Sequence, residues 1–243
     1  SYALIDDFAS YINFVGRYDG GTFPNPGGGE DKRTMESYFS RVNYNYNDRY
    51  FFQGSVRRDG SSKFKLKDKR WGTFWSVGGG WRIDSEQFME SSKGWLDLLK
   101  IRGSYGVIGN QNGISNYSGY QTWSYAATYT QTTNGTGIPA NITLNQNAYV
   151  NDQLTWENIH TLDGGIDFSF FGRVRGSLDY YNRVTVNAIW NQPIAISKGQ
   201  SSIATNSAKI GNKGFEIDLS VDIIKKPDFN WTVSTNGTHY TTK

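Results

Sequence analysis

From Ser37 onward the chain is written in a two-residue alternation. In SYFSRVNYNYN, Tyr38, Val42, Tyr44 and Tyr46 fall on even positions, while Arg41, Asn43, Asn45 and Asn47 fall on odd ones. Successive side chains of a strand point to opposite faces, so such a segment has one apolar and one polar face. The same division sets Tyr50, Phe52 and Val56 against Gln53, Ser55, Arg57 and Asp59. Further on it sets Val174, Leu178 and Tyr180 against Arg173, Arg175, Ser177 and Asp179, and Phe215, Ile217, Leu219, Val221 and Ile223 against Glu216, Asp218, Ser220 and Asp222. A helix would scatter these charges around its circumference.

The pattern predicts eight strands, at 37–47, 49–58, 71–83, 98–107, 160–171, 173–186, 209–224 and 229–240, with a weaker candidate from Tyr11 to Tyr18. Asn47-Asp48, Gly172-Arg173 and KKPDF read as tight turns, and DSEQFMESSKGW as a short helical turn capped by Asp84 or Ser85. Between them lie polar connections: 59–70, with the basic run KFKLKDKR read as a solvated tip; an irregular stretch from about Gly109 to Ile159; and 187–208. Tight turns alternating with long loops are the connection pattern of outer-membrane barrels, short on the periplasmic side and long outside. Eight strands can close a small barrel, but loops of this size point to an arc of a larger wall.

Composition separates a barrel from a soluble sandwich. Mean hydropathy is −0.60, hydrophobic residues make up 37% and aromatic residues 16% of the chain, and there are 28 glycines. That is little for a dry core, but it suits a wall with aromatic girdles outside and water inside. Polar-parity carboxylates such as Asp167, Asp179 and Asp218 would be costly in a dry core. No apolar run approaches the ~18 residues of a membrane-spanning helix. The start, SYALIDDFASY, has no basic and apolar leader pattern, so the sequence reads as mature or as a fragment. The chain has no cysteine, hence no disulfide framework or thiolate metal site, and its net charge of +3 is spread too thinly for a nucleic-acid surface.

These residues resemble the SusC/RagA family of TonB-linked outer-membrane transporters. The likeness is carried in order by SYFSRVNYNYNDRYFFQGSVRRDGSSKF (37–64), GTFWSVGGGWRIDSEQF (72–88), LLKIRGSYGVIGNQNGI (98–114), LTWE (154–157), GGIDFSFFGRVRGSLDYYNRVT (164–185) and NSAKIGNKGFEIDL (206–219). The resemblance implies an all-β, antiparallel transmembrane barrel of which 37–243 forms about eight or nine strands out of about 22, with 1–36 an extracellular loop and a weak strand. It also implies import of oligosaccharides or peptides across the outer membrane of a Gram-negative bacterium. The partners would be a SusD-like surface lipoprotein, TonB, membrane lipid and the substrate, without nucleic acid. The family's plug and energy-coupling TonB box have no counterpart in these residues, which places the chain as a middle-to-late barrel section.

Candidate chemistry is sparse. Asp59-Gly60-Ser61-Ser62 lacks the later acidic ligands of a calcium loop, and the glycines at 78–80, 103, 106 and 109 fall in strands with no helix after them to receive phosphate. His160 and His239 have no partner in sequence for a triad or metal cage, so no catalytic residue, metal or cofactor is expected and the chain does not read as an enzyme. The polar parity supplies lumen-lining candidates: Arg41, Arg57, Arg102, Asp163, Asp167, Arg173, Arg175, Asp179, Glu216 and Asp218. As carboxylate pairs they could mimic a glycosidase site, but the interleaved arginines read more simply as a charge-balanced wall. For ligand contact the candidates are Tyr117, Tyr120, Trp123, Tyr125 and Tyr129, whose flat faces beside amides and hydroxyls suit sugar rings or peptides, or else packing against a partner. A passive porin and a soluble aromatic-rich carbohydrate-binding β-sandwich are the alternatives. In a barrel the apolar parity forms one lipid-facing band, and in a sandwich it faces a second sheet.

Overall fold

The computed structural model describes residues 2–3, 16–17, 31–130, 138–147, 150–198 and 200–243, with side chains described over 31–121, 150–197 and 200–243. The chain divides into two compact units at Thr34. In the first, β1 (Tyr2–Ala3) pairs antiparallel with β2 (Gly16–Arg17). The rest of the expected N-terminal loop up to residue 30, and of the weak strand around Tyr11 to Tyr18, lies outside the described residues.

The second unit, Met35–Lys243, is built on one antiparallel sheet. Its strands are β3 (Met35–Tyr46), β4 (Tyr50–Ser61), β5 (Trp71–Arg82), β6 (Leu96–Asn110), β9 (Glu157–Phe170), β10 (Val174–Pro193), β11 (Ser202–Lys226) and β12 (Phe229–Thr242). Between β6 and β9 the chain forms a separate hairpin of β7 (Thr122–Thr130) and β8 (Ile138–Asn147). Every neighbour in the order β12-β11-β10-β9-β6-β5-β4-β3 is antiparallel. No helix among the described residues is long and apolar enough to cross a membrane.

All eight expected strands are present, and most are longer than the alternation alone showed. The stretch 187–208 is largely strand, because β10 and β11 stay paired from Val174↔Val221 to Pro193↔Ser202 through a shift of register near residues 185–188. Asn187 takes the left-handed conformation there, at φ 55°. The stretch 109–159 is likewise not wholly irregular, since it holds β7 and β8. Within it β7 sets Trp123, Tyr125, Ala127 and Tyr129 against Thr122, Ser124, Thr128 and Thr130, and β8 sets Ile138, Ala140, Ile142 and Leu144 against Asn141, Thr143, Asn145 and Asn147, so both strands keep the two-residue alternation inside a stretch rich in Asn, Thr and Gly.

Both β3–β4 turn residues, Asn47 and Asp48, have φ 52°. Asn and Asp tolerate this region, and a pair of such residues matches the twist of the flanking strands. The β9–β10 turn is shifted one residue from its expected place. Phe171 and Gly172 take φ 54° and 60°, and Arg173 donates its N–H to the Phe170 carbonyl at 3.0 Å. The Asp97 carboxylate holds this turn by accepting the Gly172 N–H at 2.6 Å.

Register carries the parity across the whole sheet. One row runs Trp81↔Ile101↔Ile166↔Leu178↔Ile217, so apolar residues from five strands share a face. Among the described residues no second layer lies against that face: Val42, Tyr44, Phe52, Ile101 and Leu178 are 43–60% exposed. The sandwich alternative required these side chains to interdigitate with another sheet, and they do not. Aromatic pairs band the tight-turn end, with Tyr50 stacked on Trp81 at 6.4 Å and Trp95 stacked on Phe170 at 5.9 Å. A second group, Tyr38 stacked on Trp71 at 6.2 Å, lies toward the other end. Tyr38 and Tyr46 are eight residues apart, about 26 Å along the strand, comparable to the ~25 Å apolar band of outer-membrane barrels.

The buried core is small and sits at the long-connection end. Phe64, Phe74, Ile114, Leu154 and Trp156 form it, with Ile189 and Ala204 of the β10–β11 hairpin packed alongside. Trp156 lies 5.4 Å from both Phe64 and Phe74, and its indole donates to the Arg70 carbonyl at 2.8 Å. The basic run expected to be a solvated tip therefore begins inside this core: Phe64 is fully buried, and Lys63 caps the Gln111 and Ile114 carbonyls at 3.4 and 2.9 Å. Charge alone marked it as a tip. Apart from Phe74, the apolar residues of that cluster, Ile114, Leu154 and Trp156, lie about fifty or more residues further along the chain.

Leu178→Arg is expected to cost about 2–4 kcal/mol if it lies near the bilayer midplane. Reversible unfolding of the full-length protein from lipid vesicles in urea measures it, and a cost near zero would count against a lipid-facing position.

Candidate functional site

The polar face is a wall of fixed charges organised around Arg102 of β6. Its Nε lies 3.2 Å from Asp167 and its Nη1 3.5 Å from Asp163, both on β9, while Nη2 reaches Asp179 on β10 at 2.5 Å. One guanidinium thus serves three carboxylates, a local excess of negative charge. To reach Asp179 the side chain must cross a whole strand, and it does so over Gly165, its direct cross-strand neighbour. A Cβ there would lie 2.2 Å from the Asp179 carboxylate and 2.8 Å from the guanidinium carbon. Lys100, also on β6, leans the opposite way and lies over the Phe51 ring of β4 at 4.9 Å. Both cations are pinned along the wall.

Other candidates are placed as follows. Arg57 pairs with Asp59 at 2.6 Å, and Arg175 pairs with Asp222 at 3.1 Å, where Thr232 also donates at 2.7 Å. Arg175, Asp218 and three serines, Ser169, Ser177 and Ser220, line an open depression of about 290 Å³. Glu216 stands directly opposite Asp179, and Asp218 opposite Ser177, which extends the acidic row onto β11. Arg41 is exposed on the same face as its partner Ser55. Arg173 belongs to the β9–β10 turn rather than to a strand.

The rim tyrosines separate into two roles. The Tyr120 hydroxyl accepts from Arg70 at 3.1 Å and donates to the Ser62 carbonyl at 3.4 Å, so this residue ties its loop to the β4–β5 connection. Tyr117 stands edge-on to it at 6.4 Å and is 40% exposed. Trp123, Tyr125 and Tyr129 fall in β7, with backbone partners Gln146, Leu144 and Pro139; their side chains lie outside the described residues.

Three groups escaped the sequence reading. His160, expected to be isolated, accepts or donates a hydrogen bond with the Tyr105 hydroxyl at 2.9 Å, a pairing visible only once β6 and β9 are in register. At the tight-turn end the expected capped helical turn is a pair of 3-10 turns, 83–85 and 87–92, without a side-chain cap. Asp84 instead binds Arg82 at 2.6 Å and accepts the Leu99 N–H at 3.1 Å, locking the connection to β6. Burial opposes its ionisation and is the largest single influence, but Arg82, the Leu99 N–H and the Ser85 hydroxyl outweigh it and hold the carboxyl below the usual range. Glu86 accepts from the Tyr50 hydroxyl at 2.6 Å and the Trp81 indole at 3.0 Å, which hold its carboxyl below its usual range and fix the girdle.

Two outcomes are expected. Gly165→Ala should expel Arg102 from Asp179 and cost about 1–2 kcal/mol of unfolding free energy, whereas Gly164→Ala, whose Cβ would meet only backbone at 4.0 Å, should change it by less than about 0.5 kcal/mol. Because the folded pKa of Asp84 is depressed, its contribution is present above the unfolded-state value of about 3.9 and is lost as pH falls through the folded one. Asp84→Asn should therefore lower the unfolding midpoint at pH 7 by an amount that shrinks as pH falls below about 3.9, which a pH series of thermal melts reads.

Comparison with known proteins agrees with this geometry. Residues 3–243 match the family model described as TonB dependent receptor-like, beta-barrel. The chain is 32% identical over 234 residues to TonB-dependent receptor P39 of Formosa agariphila, covering 95% of this chain and 21% of that protein. It is 34% identical over 209 residues to TonB-dependent receptor SusC of Bacteroides thetaiotaomicron, covering 85% and 20%. Among solved structures, that of the RagAB peptide transporter superposes with a TM-score of 0.76 at 28% identity, over 87% of this chain and 22% of that one. The chain thus spans about one fifth of the length of the curated relatives it matches. A sheet with a lipid-facing apolar parity, a charged inner wall and this match along nearly its whole length places the chain in the TonB-dependent receptor family, as part of its β-barrel.

Proposed function

We propose that the protein carrying this chain imports oligosaccharides or peptides across the outer membrane in a TonB-dependent manner, the chain forming part of the barrel wall and the external loops. The observation that carries the proposal is the family match over residues 3–243, joined to likeness both to SusC and to a peptide importer. The inner wall is consistent with it. Arg57, Arg102 and Arg175 are held along the wall by carboxylates, which keeps these long side chains from reaching across a polar passage. TonB supplies the energy in this reading, and a SusD-like lipoprotein covers the external mouth.

Substrate contact falls to the rim aromatics, with Tyr117, Trp123, Tyr125 and Tyr129 offering flat faces and Tyr120 bracing their loop. Stacking against sugar rings or peptide side chains is the chemistry they supply. The lumen-lining set, Arg41, Arg57, Arg102, Asp163, Asp167, Arg173, Arg175, Asp179, Glu216 and Asp218, sets the passage's electrostatics and performs no bond chemistry.

Growth on, or uptake of, candidate oligosaccharides and peptides by cells expressing the full-length gene tests the proposal. Deleting the energy-coupling segment should abolish uptake, and unchanged uptake would instead favour a passive pore. Trp123→Ala should weaken binding of the transported substrate about tenfold, the order of one stacked aromatic contact, with titration calorimetry of the purified protein as the readout.

A further inference from the structure

Arg58 stands apart from the other strand arginines. Arg41, Arg57, Arg82, Arg102, Arg175 and Arg183 all stand on the polar parity, where Arg57, Arg82, Arg102 and Arg175 each hold a carboxylate. Arg58, next to Arg57 in sequence, projects from the opposite, lipid-facing side, where no carboxylate among the described residues pairs with it. Its guanidinium lies over the Trp71 ring at 5.4 Å. An unpaired cation on that face is expensive in hydrocarbon and is favoured only at the interface. Arg58 is three residues from the end of β4 on the long-connection side, about 10 Å along the strand, so it stands at the outer rim of the apolar band.

Its surroundings form a shaped site. Trp71 lies flat across β4 over Gly60, where a Cβ would be 3.0 Å from the indole, and so reaches Tyr38 on β3 to stack at 6.2 Å. Thr73, the cross-strand partner of Arg58, is exposed on the same face. Glu36, the nearby acid, is engaged by the Tyr38 hydroxyl. Below this group the same parity continues as Val42, Val56 and Trp75, all 45–60% exposed. A ligand that meets both regions has an anionic head and an apolar body.

We propose that Arg58 and Thr73, on the Tyr38–Trp71 platform, bind the phosphorylated headgroup of an outer-leaflet lipid, with its acyl chains along Val42, Val56 and Trp75. The planar fork of a guanidinium matches phosphate with two parallel hydrogen bonds. Aromatic rings hold such a group at the interface. A water-soluble anion would gain nothing from the valines beneath. The inference rests on the outer-membrane placement of the sheet and is independent of what the protein imports.

The test is native mass spectrometry of the full-length protein, purified from outer membranes and titrated with bis-phosphorylated lipid A, dephosphorylated lipid A or inorganic phosphate. Wild type is expected to bind the phosphorylated lipid, Arg58→Gln about tenfold more weakly, and Lys93→Gln, at the other end of the barrel, unchanged. Both proteins should bind the dephosphorylated lipid equally and weakly, and heat-modifiable migration should show the variant assembled. Equal affinity of wild type and Arg58→Gln for the phosphorylated lipid overturns the proposal, as does displacement of that lipid by inorganic phosphate alone. If Arg58→Gln does not assemble, Arg58→Lys, which keeps the charge without the fork, is expected to bind severalfold more weakly, and unchanged affinity again overturns it.

Discussion

Hydrocarbon offers no partner for a backbone amide, so a chain that crosses a membrane as strands must pair every N–H and C=O with its neighbours. The rest of this structure follows from that constraint. The strands lie in one unbroken antiparallel ladder from β3 to β12, their side chains are forced into strict alternation, and stability comes from the ladder rather than from a large dry interior. Among the described residues the one substantial apolar core, around Phe64 and Trp156, stands at the long-connection end of the sheet. There water returns as solvent and the hydrophobic effect again has something to act on.

The inner wall meets a different demand. Its charges must stay solvated or paired without filling the passage, and the solution is lateral. Arg102 lies over Gly165 toward Asp179, and Lys100 lies over Phe51. Trp71 does the same on the outer face over Gly60. On both faces a missing Cβ lets a long side chain travel across one strand to meet the next, so some of the 28 glycines act as crossings and not merely as bends.

What was legible in the sequence was whatever repeats with period two. The eight main strands, the two faces, Asn47-Asp48 as a tight turn and the division between tight and long connections all follow from local pattern. The pairing of Tyr105 with His160, the burial of Lys63 and the three-carboxylate hub of Arg102 depend on residues about fifty or more positions apart. No local window contains them. The β7–β8 hairpin was missed for another reason: its alternation, Trp123, Tyr125 and Tyr129 in one strand and Ile142 and Leu144 in the other, is embedded in a long run of Asn, Thr and Gly that reads as loop. The upper reaches of β10 and β11 were missed because the alternation fades at the register shift near Asn187.

The β10–β11 hairpin has 20 and 25 residues in its two strands, against the roughly 9–11 that a tilted strand needs to cross a bilayer. The surplus stands outside as a mast. Glu157 accepts the Ile189 N–H at 2.7 Å near its foot, and Asn206 bonds to the Thr155 and Asn187 carbonyls at 2.8 and 2.9 Å. Register is tied to the neighbouring strands below the shift near Asn187, and to the core and its loops as far as Ile189 and Ala204, while beyond the Asn191↔Ala204 pair residues can be gained or lost in opposed pairs without disturbing anything beneath. External reach can therefore drift through evolution as a free variable, lengthened or shortened at the tip while the membrane-crossing wall keeps its design.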